Sequence, residues 1–148
     1  MSSDLIEGRI RIFDALTKLQ DSATLTSSAA GQVDGSAQVL DMGKNTKTKC
    51  VAVFDISAIK VSANDEVYEL SMQGSSKSDF SSDFTEIACV RVGAPGSFLP
   101  GDVTPVAERY IVRFENTLNG NTYRYIRGYI GMGGTAPSIT VSAYVSPE

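Results

Sequence analysis

Hydrophobic and polar residues alternate along most of the chain after residue 37, and turn-forming residues interrupt the alternation roughly every ten positions. Alternation with period two is typical of β-strands, because successive side chains of a strand point to opposite faces. Short strands of this kind, separated by Gly, Pro and Asn, indicate an all-β, antiparallel sandwich or barrel. The pattern predicts strands over residues 37–42, 50–59, 67–73, 85–92, 109–116, 123–130 and 138–145.

Two of the predicted strands differ in how their faces are used. In the last one the apolar set Ile139, Val141, Ala143 and Val145 alternates with polar residues, so we expect one face in the core and one in solvent. Residues 50–59 are apolar on both faces at first, which is typical of a central strand.

Turn residues separate these strands. Asn119-Gly120 offers two residues that tolerate positive φ, although the connection around it is longer than the tightest hairpin. Residues 131–137 form a glycine-rich reversal that ends in Pro137. Residues 93–104 are the longest turn-rich interruption, and Phe98 and Leu99 make it a candidate contact loop.

The first twenty residues follow a different pattern. Ile6, Ile10, Phe13, Leu16 and Leu19 are spaced by three and four, as on a helix, yet the same region also reads as a strand. We expect an extended N-terminal arm over residues 1–20 with no more than one helical turn. A single β-sandwich domain is then expected over residues 21–148.

Composition is that of an ordinary globular domain. The chain has 148 residues, of which 42% are hydrophobic and 20% charged, so one core of typical size is expected. It has no apolar run of about 20 residues, and we expect no membrane contact. Its net charge of −4 argues against general affinity for nucleic acid, which requires a positive surface.

The residues needed for catalysis are missing. The chain has no histidine, which excludes Ser-His-Asp and Cys-His catalysis and histidine-based metal sites. It also lacks a G-x-S-x-G turn and a phosphate-binding glycine loop. We interpret the carboxylates near the loops as solvated charges, because their spacing matches no calcium-binding loop. They are Asp65, Glu66, Asp79, Asp83 and Glu86. We therefore predict no enzyme, cofactor or metal site.

Both cysteines lie inside apolar, strand-like segments. Cys50 and Cys89 are expected to be buried free thiols in a reducing compartment, with a cross-strand disulfide as the alternative.

Tyrosine and arginine alternate in one predicted strand. Tyr123, Tyr125, Arg127 and Tyr129 share one face, and such a face can stack single-stranded bases or contact another protein. β-Propensity alone also enriches strands in tyrosine. Because the chain is acidic, we expect a structural role or a protein contact here and no direct contact with nucleic acid.

Several short motifs follow one another in a distinctive order along the chain. They are Asp21-Ser-Ala-Thr24, Leu40-Asp-Met-Gly43, Glu69-Leu70, Ser78-Asp79-Phe80, Gly101-Asp102, and the segments 110–114, 123–130, 131–137 and 139–145. In this order they resemble the capsid cement (decoration) proteins of short-tailed bacteriophages. The resemblance covers roughly residues 13–148.

The resemblance implies a jelly-roll-like β-sandwich that forms a homodimer or homotrimer and clamps neighbouring major capsid proteins. Such a protein is made in the bacterial cytoplasm and ends on the capsid exterior of the virion. A carbohydrate-binding or host-surface-binding sandwich is the alternative, since jelly rolls include lectins. The candidate interface residues are Ile6, Arg9, Ile10, Arg11, Phe13, Phe98, Leu99, Tyr123, Tyr125, Arg127 and Tyr129.

Overall fold

The computed structural model describes residues 18–61, 65–81, 84–93 and 108–147. Residues 1–17 of the arm expected over residues 1–20, and the loop with Phe98 and Leu99, lie outside this part of the chain. Within it every regular element is a β-strand and every strand pair is antiparallel, which confirms the predicted fold class. No helix of the described ranges has the length and apolarity to cross a bilayer.

The strands of this part are numbered in chain order. They are β1 (Lys18–Leu25), β2 (Ala29–Ala30), β3 (Gln32–Val33), β4 (Ser36–Ala37), β5 (Leu40–Asp41), β6 (Lys49–Ile59), β7 (Val67–Ser75), β8 (Phe84–Gly93), β9 (Arg109–Glu115), β10 (Thr117–Leu118), β11 (Asn121–Thr122), β12 (Tyr125–Gly133) and β13 (Ile139–Pro147).

Two larger sheets pack face to face as a β-sandwich. One has the strand order β1-β13-β6-β9, and the other has the order β2-β12-β7-β8 with β5 also paired to β12. The chain passes back and forth between the sheets, so the core draws on strands far apart in sequence. Its largest fully buried apolar side chains include Leu19, Phe54, Tyr68, Leu70, Met72, Ile126, Ile130, Ile139 and Val141.

The periodicity located the long strands correctly. The predicted strands from residue 50 onward appear within a few residues of their expected ends. The four apolar residues of β13 lie in the core at no more than 5% exposure, which confirms the predicted facing. β6 lies between β13 and β9 and buries Val51 and Val53 as well as its core-facing residues, which confirms a central strand.

The prediction of one strand over residues 37–42 is wrong. Ser36–Ala37 pairs with β3 across a tight turn at Asp34 and Gly35, whose φ values are 54° and 78°. Leu40–Asp41 instead pairs with β12. Residues 36–41 therefore pair first with β3 and then with β12. Alternation of residue types along the segment cannot show such a change of partner strand.

A strand near the N-terminus went unpredicted. β1 pairs with β13, and its Leu19 is fully buried in the core. Its sequence KLQDSATL has too few apolar residues to show alternation. The expected domain boundary after residue 20 therefore falls inside a strand of the sandwich.

Asn116 ties the end of β9 to two neighbouring segments. This side chain is fully buried, and its Oδ1 accepts a hydrogen bond from the Thr48 amide at 2.8 Å. Its Nδ2 donates to the carbonyl oxygens of Thr46 and Tyr123 at 2.7 and 2.8 Å. Just beyond it, Asn119 and Gly120 form a two-residue hairpin turn with φ of 52° and 81°, so the longer connection contains the tight turn.

Candidate functional site

The outward side of β12 carries the tyrosine and arginine residues of interest. Ile126, Gly128 and Ile130 point into the core, so Tyr125, Arg127 and Tyr129 lie half-buried on the opposite side of the sheet. No described element of secondary structure forms a further layer over them. The strand's period of two thus gathers these three residues on one surface.

Neighbouring strands complete this surface in three rows. Each row runs from β12 across β7 to β8. One row is Tyr125, Ser75 and Phe84, and another is Tyr129, Ser71 and Cys89. The middle row is Arg127, Gln73 and Glu86. We call these nine residues, together with Phe80 from the turn between β7 and β8, the outer face.

Arg127 is the centre of the outer face. Its Nε donates to Gln73 Oε1 at 2.8 Å, which fixes the plane of the guanidinium. Its Cζ lies 4.3 Å from the ring centre of Phe80, 5.5 Å from that of Phe84 and 5.8 Å from that of Tyr129. Cations are attracted to the faces of aromatic rings at such distances.

Burial lowers the pKa of Arg127 from its ordinary value, because the rings remove water from the guanidinium. Within the described ranges Arg127 has no carboxylate partner, and Gln73 takes only its Nε–H. The terminal Nη groups of this half-buried guanidinium therefore have no hydrogen-bond acceptor among the described residues. Such an arginine can bind a planar anionic group with both Nη atoms.

Arg124 borders the outer face and is held differently. Its Nε and Nη2 both donate to the Asp41 carboxylate at 2.9 Å, and its Cζ lies 5.1 Å from the ring centre of Tyr125. The Arg124 hydrogen bonds, followed by the Gly43 amide, lower the pKa of Asp41 to about 2. This pair fastens β5 to the start of β12.

Two exposed carboxylates and an exposed thiol lie together at one side of the outer face, and Arg91 lies opposite Glu69 in the strand register. Glu69, Glu86 and Cys89 are exposed, and one ligand atom from each lies within 4.8 Å of the others. Burial, together with Glu86 and Glu69, raises the pKa of the Cys89 thiol. The protonated thiol is a poor metal ligand, and nothing else in the described ranges points to an ion here.

A groove of about 440 Å³ opens beside the outer face, between the β7–β8 end and the β10–β11 hairpin. The described residues that line it are uncharged and combine two aromatic rings with hydroxyl and amide groups. The lining residues are Ser76, Phe84, Thr85, Asn121, Thr122 and Tyr123.

Of the predicted interface residues, the structure brings Tyr125, Arg127 and Tyr129 together. Tyr123 lies elsewhere: a Cβ built at Gly74, on the core side of β7, would be 2.9 Å from its Cβ. The alternation breaks there because β12 begins only at Tyr125. The other predicted interface residues lie outside the described ranges: Ile6, Arg9, Ile10, Arg11, Phe13, Phe98 and Leu99.

Sequence reasoning missed Phe80, Phe84 and Gln73. Phe84 lies two positions before Glu86, so the sequence places both on the same, polar face of the strand. An aromatic residue on a polar face could have identified it as a candidate contact residue. The position of Gln73 follows only from the strand register, and that of Phe80 follows from the turn that brings its ring to Arg127. Both cysteines are free thiols as expected, but Cys89 is exposed and not buried, since it faces outward on β8.

No protein-family model matches the chain, and no curated protein matches its sequence. The function must therefore be inferred from the residues and their geometry.

Proposed function

We propose that this protein is a structural component of a bacteriophage virion that binds the outside of the assembled capsid and bridges major capsid proteins. The observation that carries the proposal is the outer face, whose central arginine is held by Gln73 and packed among aromatic rings without a carboxylate partner in the described ranges. The motif resemblance supplies the identity of the partner.

The outer face has the chemistry of a protein-contact surface. Arginine, tyrosine and phenylalanine are enriched in such surfaces, and arginine and tyrosine often dominate their binding energy. Phe84 is 49% exposed, one of two large apolar side chains of the described ranges with this much contact with water. Removing such a ring from water stabilises a complex.

Charge favours a protein over nucleic acid as the partner. Glu86 lies in the row of Arg127, and with the exposed Glu69 further along the sheet it would repel a phosphate backbone. The net charge of −4 acts in the same direction at longer range. A partner with both apolar and charged side chains fits the outer face better.

The strand order supports the jelly-roll part of the proposal. Each of the two sheets takes strands from both halves of the chain, and consecutive long strands often lie in opposite sheets. A rigid sandwich of this kind suits a protein that acts by binding alone. If it binds the assembled shell and not free capsid subunits, every bound copy stabilises the shell.

Two matched variants test the proposal on empty, DNA-free shells of the phage that encodes the protein. Phe84 and Ile111 are exposed to 49% and 48% and lie on different sheets. We expect the wild type to co-sediment with shells and raise their melting temperature. Phe84→Asp is expected to weaken co-sedimentation about tenfold or more, whereas Ile111→Asp leaves it unchanged. Failure of the wild type to pellet with shells contradicts the proposal.

We propose carbohydrate binding as a second candidate, favoured by the groove beside the outer face, whose described lining residues are uncharged. Its volume of about 440 Å³ falls in the range of small-molecule sites, and Phe84 and Tyr123 could stack on a sugar ring. A glycan array tests this candidate. Binding that is lost in Asn121→Ala supports it, and an array without any signal excludes it for the glycans present.

A further inference from the structure

We propose that the turn between β5 and β6 is a second contact surface, which binds a short acidic segment of a partner protein. The turn covers residues 42–48, and together with Lys49, the first residue of β6, we call it the basic turn. This inference goes beyond the proposed function and does not depend on it, because the basic turn shares no residue with the outer face.

The basic turn concentrates positive charge in an acidic protein. Its sequence MGKNTKTK includes Lys44, Lys47 and Lys49 and has no acidic residue. All three lysines are exposed, and within the described ranges none of them forms an ion pair. Lys18 and Arg109, by contrast, are each bound to an aspartate. Neighbouring charges of one sign repel each other, so an anionic partner stabilises this segment.

The main chain of the basic turn adds hydrogen-bond donors to this charge. Gly43 and Asn45 have φ values of 93° and 55°, whereas Lys44 between them is outside this left-handed region. Turns of this kind direct neighbouring N–H groups toward one side, as in the anion-binding concavities called nests. Among the described residues, the N–H groups of Lys44, Asn45 and Lys47 have no acceptor. These donors can therefore bind a carboxylate together with the lysine side chains.

The fold holds the basic turn in place before any partner binds. At its start the Met42 amide donates to the Arg124 carbonyl oxygen at 2.7 Å. Toward its end the buried Asn116 side chain donates to the Thr46 carbonyl oxygen and accepts from the Thr48 amide. A segment that is already ordered loses less conformational entropy when it binds. The lysines and open amides thus form a preorganised set.

The extent of the charge selects a short acidic protein segment as the occupant. Asp41 precedes the basic turn, and Glu115 lies opposite Lys49 in the register of β6 and β9. Lys49, Arg113, Phe114 and Glu115 line a cavity of about 280 Å³ at this border, so both charge signs meet there. A nucleic acid would contact few phosphates and would be repelled at longer range by the net charge of −4. A protein segment with a few Asp or Glu residues carries its charge locally and matches this extent.

The two contact surfaces belong to different parts of the sandwich. The outer face lies on β12, β7 and β8, whereas the basic turn leads from β5 into β6 of the other sheet. A protein that bridges two others needs two separate contact surfaces. If the outer face holds one capsid protein, the basic turn can hold an acidic segment of its neighbour.

Fluorescence anisotropy with a labelled oligo-glutamate peptide tests the inference, in protein free of shells and at low salt. We expect the wild type to bind the peptide with a Kd below about 1 mM, and the affinity to fall as salt is added. Lys44→Gln, Lys47→Gln and Lys49→Gln are each expected to raise Kd about twofold to fivefold, and K44Q/K47Q/K49Q about tenfold or more. Lys60→Gln is the matched control, because Lys60 is an exposed lysine just beyond the opposite end of β6. We expect it to leave Kd unchanged.

Amide chemical shifts provide a second readout, which a change in net charge alone would not move. The NMR signals of the Lys44, Asn45 and Lys47 N–H groups are expected to shift when the peptide is added, while that of Lys60 stays in place. Circular dichroism verifies that each variant folds.

Several outcomes would overturn the inference. A wild type that shows no binding up to about 1 mM does so. Equal weakening by Lys49→Gln and Lys60→Gln would show general charge attraction instead of a site, and bound peptide that leaves the three amide signals unmoved would exclude the turn. Tighter binding of labelled single-stranded DNA than of the peptide would reject a protein partner. Because the test uses no shells, its failure leaves the proposed function as it stands.

Discussion

Three arginines of this protein are held in two different ways. Arg109 donates to Asp55 at 2.6 and 3.1 Å, and Arg124 donates to Asp41 at 2.9 Å. In both, the partner carboxylate raises the pKa of the guanidinium. Arg127 has an amide and aromatic rings instead, and burial lowers its pKa. The guanidinium groups of Arg109 and Arg124 are already bound to a carboxylate, whereas Arg127 can still bind one from a partner.

Asp41 provides a test at the residue scale. Its pKa is about 2, against an ordinary 3.8, so the native state binds its proton less readily than the unfolded state does. The stabilisation is present above the ordinary pKa and is lost as the pH falls from about 4 through about 2. Arg124→Gln is expected to move the Asp41 carboxyl midpoint upward, as measured by NMR titration, though not fully, since the Gly43 amide remains.

The matched control is Arg113→Gln, which changes an exposed arginine on the other sheet and is expected to leave the Asp41 midpoint where it was. An unchanged midpoint in Arg124→Gln means that the two side chains do not pair in solution.

Individual strands are joined by turns that differ in how crowded they are. Gly134, between β12 and β13, has φ of 107°, and a Cβ there would lie 2.6 Å from the Asp65 oxygen and the Glu66 Cα. Gly120, in the β10–β11 hairpin, has φ of 81° with nothing within 4 Å of the same position. A side chain at Gly134 is therefore disfavoured by both the backbone conformation and the neighbouring atoms. A side chain at Gly120 is disfavoured by the backbone conformation alone.

These turns predict two different stability losses. Gly120→Ala is expected to lower the free energy of unfolding by about 1 kcal/mol, the cost of a left-handed conformation for a residue with a Cβ. Gly134→Ala is expected to cost at least twice as much, about 2–4 kcal/mol, because backbone atoms must also move. Urea denaturation measures both. Equal losses of unfolding free energy would show that the backbone of Asp65 and Glu66 moves away from a side chain at residue 134 without measurable cost.

At the level of the whole molecule, the proposed capsid contact predicts a linkage effect. A protein that binds the assembled shell and not its free subunits makes the shell more stable with every bound copy. We expect the melting temperature of empty shells to rise with the concentration of added wild type until every site is occupied, and Phe84→Asp to shift this curve to higher concentration. Differential scanning calorimetry over a concentration series measures this. A melting temperature that does not respond to added protein would contradict the proposed function.

Local alternation of apolar and polar residues accounts for one part of this structure. Period-two patterning placed the long strands, assigned the buried face of β13 and grouped Tyr125, Arg127 and Tyr129, because neighbours on a strand point to opposite faces whatever the fold. The same patterning missed β1, whose polar sequence becomes a strand only through its pairing with β13. It also joined residues 37–42 into one strand, although two different partners divide them.

The surroundings of Arg127 depend on how the strands assemble into a sheet. Gln73 and Glu86 reach its row through the registers of β7 and β8, and Phe80 and Phe84 come from the end of that hairpin. Register depends on side-chain packing between strands and on a bulge between Met72 and Gln73, neither of which is encoded in the alternation of one strand. A surface that joins three strands is therefore a property of the assembled sheet, while the facing of each residue is a property of its own strand.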